Sequence, residues 1–322
     1  MHILITSAGK RVTLVRLFQE EIKALGLAAK VYTAELNPDM SPAAQVSDGF
    51  FKVPPVTSDG YAGILLDICK NNNIGLVVPT IDTELLLLSR QKNIFLQHNI
   101  EVLVADEDFI SMCRDKRKTH DYMLQKGIRI PKAIDKFNPV FPLFVKPFDG
   151  SLSKDAAMIK SADQLTDEML NHPKLMFMEY INKNFYKEYS VDMYYGKDNI
   201  VKSIVPRERT EVRAGEINKG FARKNYLVPY LLERVSYLPG VVGPVCIQLF
   251  YNADNDDVVG IEINPRFAGG YPLTHYARAN FISNILKEYF LHEEIQYSEN
   301  WIDNTLILRY DSEIVKYPES CM

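Results

Sequence analysis

Residues 2–105 alternate short apolar runs with amphipathic stretches, and this pattern constrains the fold more than any other feature of the chain. The apolar runs at 2–6, 30–34, 49–53, 75–79 and 101–104 predict strands, and the stretches 12–25, 61–72 and 83–97 predict helices. Strands that alternate with helices are typical of a parallel sheet with helices on its faces. Because ligands of such sheets bind at the carboxyl ends of strands, the loops there are candidate binding positions.

Two of these strand ends carry polar residues. Segment 7–11, Ser-Ala-Gly-Lys-Arg, offers backbone donors and two cations to an anion, but it lacks the glycine fingerprint of a dinucleotide site. Segment 80–84 has two open interpretations: Asp82 or Thr83 caps the next helix, or the segment binds substrate.

Composition limits the classes of function. The chain has 322 residues, a net charge of -4 and no long basic tract, so nothing indicates a nucleic-acid partner. Its four cysteines are widely separated, which favours a reduced, cytoplasmic setting. No apolar run approaches the roughly 20 residues that span a bilayer, and the N-terminus lacks a signal-peptide layout, so we expect no membrane association.

The stretch 258–270 carries side chains that are suited to binding a metal ion. In an extended conformation Ile261 and Ile263 lie on one face and Glu262 and Asn264 on the other, which places two oxygen donors side by side. Hard cations such as Mg²⁺ bind carboxylate and amide oxygens. The alternative is an ordinary edge strand with a polar outer face that ends at Pro265.

A second strand precedes it. Residues 245–250 are apolar except for Gln248, and the turn-rich segment 252–257 predicts a hairpin between the two strands. A lone amide in such a run needs a buried partner, which a metal or phosphate would provide. Arg266, just after Pro265, adds a permanent charge suited to phosphate.

Gln248, Glu262 and Asn264, followed by Pro265 and Arg266, resemble the metal-binding set of the ATP-grasp superfamily. The form is that of the synthetase halves of the carbamoyl-phosphate synthase large subunit and of their single-unit relatives. The resemblance implies that the three side chains hold one or two Mg²⁺ (or Mn²⁺) ions against the phosphates of ATP. Many relatives have a carboxylate at the position of Gln248, which leaves open a lower metal affinity or ion count.

Two lysines extend this resemblance. Lys116 lies in a charged helical stretch that by itself indicates a solvated face, and the resemblance implies that it reaches the α-phosphate region. Lys146 lies in an apolar strand, where a lysine is costly unless its charge meets a partner such as phosphate. The next segment contains Ser151 and Ser153, where the family has a mobile loop over the phosphates, although only one glycine is present here.

Further residues are assigned to the nucleotide by the same resemblance. The linker Glu179-Tyr180-Ile181 would pass the adenine edge and offer backbone hydrogen bonds to it. Glu188 would hold the ribose hydroxyls, whereas the residues alone indicate a surface strand position.

Further along the chain, arginines occur at odd-numbered positions. Arg207 and Arg209 share a face if their segment is extended, and like charges on one face repel unless an anion lies among them. The resemblance implies that an arginine of this region holds the transferred phosphate, without choosing between the two. The alternative is a salt-bridge cluster with Glu208 and Glu211.

The resemblance implies an α/β protein: a Rossmann-like N-terminal (pre-ATP-grasp) domain at 1–110, then a two-lobed α+β ATP-grasp domain with a nucleotide lobe at 111–190 and a C-terminal lobe with the metal-binding strands at 191–322. The expected activity is an ATP-dependent carboxylate-amine (or carboxylate-thiol) ligase acting through an acylphosphate. Two alternatives stay open, a kinase of carbamate or bicarbonate and a non-catalytic nucleotide-binding protein. Expected partners are a small carboxylate and an amine, with loops 9–11, 80–84 and 212–221 setting specificity, and the resemblance is compatible with a homodimer.

Overall fold

The computed structural model describes residues 1–150 and 156–317, which form two compact units. Unit 1 comprises Met1–Ala105, Asn280–Gln296 and residues 307–317, and unit 2 comprises Asp106–Ala279 and Tyr297–Leu306. Unit 1 has a parallel sheet and unit 2 has antiparallel sheets, so the predicted α/β class is confirmed. The three-part division of the chain stays a prediction.

Unit 1 begins as the alternation predicts. Its elements are β1 (His2–Thr6), α1 (Val12–Ala24), β2 (Val31–Glu35), α2 (Pro42–Val46), β3 (Gly49–Lys52), α3 (Tyr61–Asn71), β4 (Ile74–Pro79), α4 (Asp82–Leu96) and β5 (Glu101–Val102). The strands pair in parallel in the order β3-β2-β1-β4-β5. Strands β1 and β4 are buried almost throughout, as expected of a parallel sheet covered on both faces. The carboxyl ends of β1, β2 and β4 therefore meet at one edge.

Local sequence explains the helices of unit 1. Helix α1 buries Leu14, Phe18 and Ile22, which recur every four residues and form one apolar face. Helix α2, which the sequence reading missed, begins where the Ser41 hydroxyl accepts a hydrogen bond from Ala44 N and Pro42 occupies the first turn.

Unit 2 contains the remaining elements up to residue 279. They are α5 (Glu107–Arg114), α6 (Lys116–Gln125), β6 (Leu143–Pro147), β7 (Ala157–Ile159), α7 (Asp167–Asn171), β8 (Leu175–Glu179), β9 (Lys187–Tyr195), β10 (Val201–Arg213), β11 (Glu216–Ala222), α8 (Leu227–Val235), β12 (Gly243–Asn252), β13 (Asp257–Asn264) and α9 (Tyr271–Tyr276). The last helix, α10 (Phe281–Phe290), packs on α1 in unit 1, and a short strand, β14 (Leu306–Leu308), follows.

Two sheets organise unit 2. The large sheet has the order β13-β12-β9-β10-β11-β14, and the small sheet has the order β7-β6-β8. Leu143, Val145, Ile159 and Phe177 form the apolar core of the small sheet. The predicted hairpin between residues 245–250 and the metal strand is confirmed as β12 and β13.

Three predicted elements were wrong. The apolar pattern after residue 106 predicts one helix that ends at Gly127, but the structure has two helices, because Asp115 is extended and its carboxylate caps α6 by accepting from Arg117 N. The sequence after Pro272 also predicts one helix from about residue 273 to 290, but the helix breaks at Arg278, whose φ is +72°, and Asn280 caps the second part. The polar loop expected at 212–221 is instead an arm of the β10–β11 hairpin.

Among the helices within residues 1–150 and 156–317, none combines the length and apolarity needed to cross a bilayer.

Candidate functional site

One face of the large sheet carries most of the side chains that the sequence singled out. Gln248 on β12 lies directly opposite Glu262 on β13 and opposite Ser190 on β9, and Ser190 lies opposite Arg207 on β10. Directly paired residues of antiparallel strands share a face, and Asn264 shares the face of Glu262 because the two are two residues apart. The register of four strands therefore brings together residues far apart in sequence.

The Gln248, Glu262 and Asn264 trio offers three oxygen donors. Asn264 Nδ2 donates to Glu262 Oε1 at 3.0 Å, which orients the amide and leaves its oxygen and the second carboxylate oxygen for other partners. The described residues contain no group of three His, Cys, Asp or Glu side chains placed to hold a metal. One carboxylate and two amides fit Mg²⁺ that arrives with phosphate oxygens better than they fit a free ion.

Lys146 is the most unusual charge near this trio. Its side chain is buried in β6 with 8% exposure, and neither a hydrogen bond nor an ion pair holds its ammonium within the described part of the chain. Burial lowers its pKa to about 8, a fall that the charge of Glu262 opposes and the charge of Lys116 reinforces. A buried ammonium without a direct partner, close to a carboxylate and a second lysine, is typical of a site that receives an anion.

Lys116 is the first residue of α6. Its ammonium donates to the carbonyl of Gly150, and its backbone N–H donates to the carbonyl of Phe148 at 2.9 Å. These contacts hold Lys116 beside the segment that follows Lys146. Ser151 and Ser153, predicted to cover the phosphates, lie outside the described residues.

The linker predicted to pass the adenine edge begins at Glu179, whose carboxylate already accepts hydrogen bonds from the protein. Glu179 accepts from Arg129 Nη2 at 2.8 Å and from Lys132 N at 3.1 Å, and its own N–H donates to the carbonyl of Lys132. The backbone N–H of Glu179 is therefore engaged, and half-buried Tyr180 and buried Ile181 follow it in the linker. The adenine role of the linker stays a prediction.

Glu188, the predicted ribose ligand, lies near the start of β9. Its carboxylate lies 2.9 Å from Arg209 Nε and 3.3 Å from Lys183 Nζ. The carboxylate thus has two cationic partners within the protein, and its ribose role stays a prediction.

The structure distinguishes the arginines. Arg207 is only 1% exposed, and its Nη2 lies 2.6 Å from Asp192 Oδ1, whose other oxygen accepts from the hydroxyl of Thr274 at 2.6 Å. An added Cβ at Gly270 would lie 2.0 Å from Arg207 Nη1, so the turn before α9 is packed onto the guanidinium. This is a buried structural ion pair.

Arg209 and Arg266 lie in different surroundings. Arg209 Nη1 donates to the hydroxyl of Ser190 at 3.0 Å, beside its ion pair with Glu188. Half-buried Arg266 follows the metal strand, and its Nη1 donates to the carbonyl of Phe267 at 3.2 Å.

The predicted alternative, a cluster of these arginines with Glu208 and Glu211, was wrong: among the described residues, Arg207 pairs with Asp192 and Arg209 with Glu188. Glu208 pairs with Lys187 and Arg223, and Glu211 pairs with Lys219.

The carboxyl edge of the unit 1 sheet holds a second polar cluster. Glu84 is fully buried and accepts from the hydroxyl of Tyr61 at 3.0 Å and from Thr80 N at 3.3 Å, while Ser7 Oγ lies 3.4 Å away. Burial raises its pKa, which these donors partly oppose. The capping interpretation of segment 80–84 was wrong, because Ile81 occupies the cap position of α4 and makes no side-chain cap bond.

The loop after β1 already donates hydrogen bonds to a carboxylate of the protein, that of Glu35. Gly9 N donates to Glu35 Oε1 at 2.8 Å, and Ala8 N and the Ser41 hydroxyl hydrogen-bond to the same carboxylate. Burial raises the pKa of Glu35 in spite of these donors. The anion that the sequence leads us to expect at this loop is therefore the protein's own side chain.

Sequence reasoning missed His120, which is buried with 4% exposure and whose Nε2 lies 3.3 Å from the carbonyl oxygen of Ile261. It lies four residues after Lys116, on the same helical face, and that spacing was the available sequence signal.

Two family models match the chain. The N-terminal domain of PylC-like proteins matches residues 3–103, and a family described as ATP-grasp in the biosynthetic pathway with Ter operon matches residues 171–310. No curated protein sequence matches the chain significantly.

Solved structures share the fold at low identity. Biotin carboxylase from Campylobacter jejuni, in a βγ-ATP complex, is 14% identical, with a TM-score of 0.69 over 94% of this chain and 73% of its own. N5-carboxyaminoimidazole synthetase from Staphylococcus aureus, complexed with ADP, is 16% identical, with a TM-score of 0.67 over 95% and 79%. L-amino acid ligase from Bacillus licheniformis is 18% identical, with a TM-score of 0.66 over 89% and 73%. The predicted ATP-grasp resemblance is confirmed.

Proposed function

We propose, on the premise that this chain is an ATP-grasp protein with a PylC-like N-terminal domain, that it is an ATP-dependent ligase joining a carboxylate to an amine. The proposal rests above all on buried Lys146, whose ammonium lacks a direct partner within the described residues and lies under the electrostatic influence of Glu262 and Lys116. The structural neighbours named as ligases and as ATP or ADP complexes support the same reaction class.

The proposed reaction has two steps. A carboxylate oxygen of the substrate attacks the γ-phosphorus of ATP, the bond from that phosphorus to the β–γ bridging oxygen breaks, and ADP leaves. The amine nitrogen then attacks the acylphosphate carbonyl carbon, the bond from this carbon to the phosphate oxygen breaks, and phosphate leaves while the nitrogen loses a proton to solvent. A thiol would replace the amine in a carboxylate-thiol ligase.

The residues would act by position and charge, since this reaction requires no protein nucleophile. Gln248, Glu262 and Asn264 would hold Mg²⁺ (or Mn²⁺), which when bound neutralises charge that develops on the phosphates. Lys116 and Lys146 would hold the phosphates of ATP.

The nucleotide and the transferred group would have separate partners. Tyr180 and Ile181 would position the base, and Glu188 the ribose. Arg266 is better suited to the transferred phosphate than Arg207, because Arg207 is engaged by Asp192 in a buried pair. Arg209 would have to break its ion pair with Glu188 in order to bind the transferred phosphate.

The cellular location and the oligomeric state are also proposals. We propose a cytoplasmic enzyme with small-molecule partners, supported by the thiols of Cys69 and Cys246, which form no disulfide within the described residues. A homodimer is proposed on family grounds.

The test is release of ADP and phosphate from Mg-ATP across a panel of carboxylates, each with and without a panel of amines. We expect release that needs both partners and that Glu262→Gln abolishes, because the variant removes the one carboxylate of the trio. Glu168→Gln, an exposed position on α7, is the matched control and should behave as wild type.

Other outcomes would contradict the ligase. Release with bicarbonate or carbamate alone would identify a kinase reaction instead. ATP binding without ADP release under every combination would favour a non-catalytic nucleotide-binding protein.

A further inference from the structure

One face of helix α6 runs along the strand that carries Glu262. Lys116, His120 and Met123 follow the i, i+4, i+7 spacing of a single helical face. Met123 packs on Gly260, where an added Cβ would lie 2.4 Å from the methionine sulfur. The missing side chain at Gly260 thus lets the helix approach β13 closely enough for His120 to reach the next residue, Ile261.

The contact of His120 falls on an irregular point of the strand. Gln248 pairs with Glu262, but Leu249 pairs with Gly260, so Ile261 has no partner across β12. Such a bulge interrupts the ladder and re-aims the side chains beside it. Here it lies immediately before Glu262, and its carbonyl oxygen is the atom that His120 contacts.

The outer edge of the same strand is held at one more point. Gly260 N donates to the carbonyl of Arg129 at 2.7 Å, in the segment that follows α6. Helix α6 and the residues after it therefore fix both Gly260 and Ile261, the two residues at which the register shifts.

The contact also defines the state of the imidazole. A carbonyl oxygen only accepts hydrogen bonds, so Nε2 of His120 carries the proton. Burial, with a smaller contribution from the positive charge of Lys146, lowers the pKa of His120 to about 4. The ring is therefore a neutral donor at neutral pH.

We infer that His120 is a positioning residue, which holds the Ile261 bulge through its Nε2–H and so sets Glu262 opposite Gln248 for a metal-nucleotide. The inference deepens the proposed function and rests on it. Because His120 shares a helical face with Lys116, the same helix would keep the phosphate-binding lysine and the metal strand in a fixed relation. Groups that orient metal ligands from behind affect metal affinity by about 10–100-fold when removed.

The experiment measures Mn²⁺ affinity by electron paramagnetic resonance, in the presence of a non-hydrolysable ATP analogue. His120→Phe keeps an aromatic ring of similar size without a donor, and His120→Gln keeps an N–H donor. His98→Phe, the same substitution at an exposed position of unit 1, is the matched control. Thermal unfolding of each variant shows whether the fold is retained.

We expect His120→Phe to weaken Mn²⁺ binding by about tenfold or more, His120→Gln to recover most of the affinity and His98→Phe to bind as wild type. Wild-type affinity in a folded His120→Phe, or equal losses in His120→Phe and His120→Gln, would overturn the inference.

The two hypotheses can fail separately. Wild-type protein that binds Mn²⁺ and nucleotide but releases no ADP with any substrate pair refutes the ligase, while the Mn²⁺ affinities of the variants still decide the role of His120. Wild-type protein that binds no Mn²⁺ overturns both.

Discussion

The carboxyl edge of the unit 1 sheet and the candidate site of unit 2 both bury ionisable side chains, but the two regions differ in the partners that they give these side chains. In unit 1, Glu84 and Glu35 each accept hydrogen bonds from neighbouring backbone and hydroxyl groups of the protein. In unit 2, buried Lys146 has no such partner within the described residues. A closed polar network stabilises a fold, whereas a buried charge without a partner is costly and typical of a functional site.

Unit 2 also shows that burial of a charge alone does not mark a site. Arg207 is more deeply buried than Lys146, yet Asp192 lies 2.6 Å away and offsets its charge. Arg207 has a direct ion-pair partner, whereas Lys146 has none within the described residues. The comparison therefore predicts that Lys146 contributes to function at the expense of stability, and that Glu84 contributes to stability alone.

The largest expected effect is that of Lys146→Met, which keeps a long apolar side chain and removes the charge. We expect ADP formation to fall by about 10²–10³-fold, since a charged donor to the reacting phosphates is lost. The free energy of unfolding should stay unchanged or rise, because replacing a buried charge by an apolar group is often neutral or stabilising. Steady-state kinetics and urea unfolding followed by Trp301 fluorescence, which reports unit 2, measure the two effects.

Lys174→Met, at an exposed lysine paired with Asp149, is the matched control and should change neither quantity strongly. A Lys146→Met variant that is less stable and fully active would remove the distinction between the two regions.

The predictability of the fold also differs between the two regions. In unit 1 the hydrophobic period alone predicts β1 at its observed length, and it predicts α1, α3, α4 and the other strands to within a few residues, because each of these elements buries a face that its own sequence defines. It misses the short helix α2. The packing of α10 in unit 1 was not predictable in this way, since it depends on contacts between residues far apart in the chain.

In unit 2 the residue types of the candidate site could be predicted, but their partners could not. The alternation around Glu262 and the lone amide at Gln248 indicate a polar pair, and the hairpin places them opposite each other. That Arg207 meets Asp192 depends on the register of β9 against β10, which no local pattern defines. The cap at Asp115 was visible as a residue type, but the helical period across it concealed the break.

The second prediction concerns the closed network of unit 1, by which we mean the hydrogen bonds that the buried carboxyl groups of Glu84 and Glu35 accept from the protein. Glu84→Ala removes the acceptor for the Tyr61 hydroxyl and Thr80 N, and each buried donor left without a partner costs about 1–3 kcal/mol. A loss of about 2–3 kcal/mol corresponds to amide exchange faster by roughly 30–150-fold in β1 and β4. Hydrogen exchange read by mass spectrometry resolves these peptides from those of β12 and β13, which should not change.

Equal acceleration of exchange in both units would contradict this prediction, because Glu84 would then support more than its own unit. Unchanged exchange in β1 and β4 would show that the carboxylate is not a structural acceptor.

The smallest expected effect is a change in how the stability of unit 1 depends on pH. Burial raises the pKa of Glu84, so the folded state binds this proton more tightly than the unfolded chain does. The resulting stability is fully present below the unfolded pKa and is lost as pH rises through the raised pKa, by about 1.4 kcal/mol for each unit between the two values. Glu84→Gln has no proton to lose and retains an acceptor for Thr80 N.

We therefore expect exchange protection in β1 and β4, corrected for intrinsic rates, to fall less steeply with pH in Glu84→Gln than in wild type from pH 5 upward. Glu35→Gln, at the second buried carboxylate of the same edge, should flatten the same profile, since the pKa of Glu35 is also raised. Exchange in β12 and β13 should keep its wild-type pH profile in both variants. A pH profile of unit 1 that neither substitution alters would mean that these carboxylates stay ionised in the fold, and the closed network would then owe its stability to charged hydrogen bonds instead.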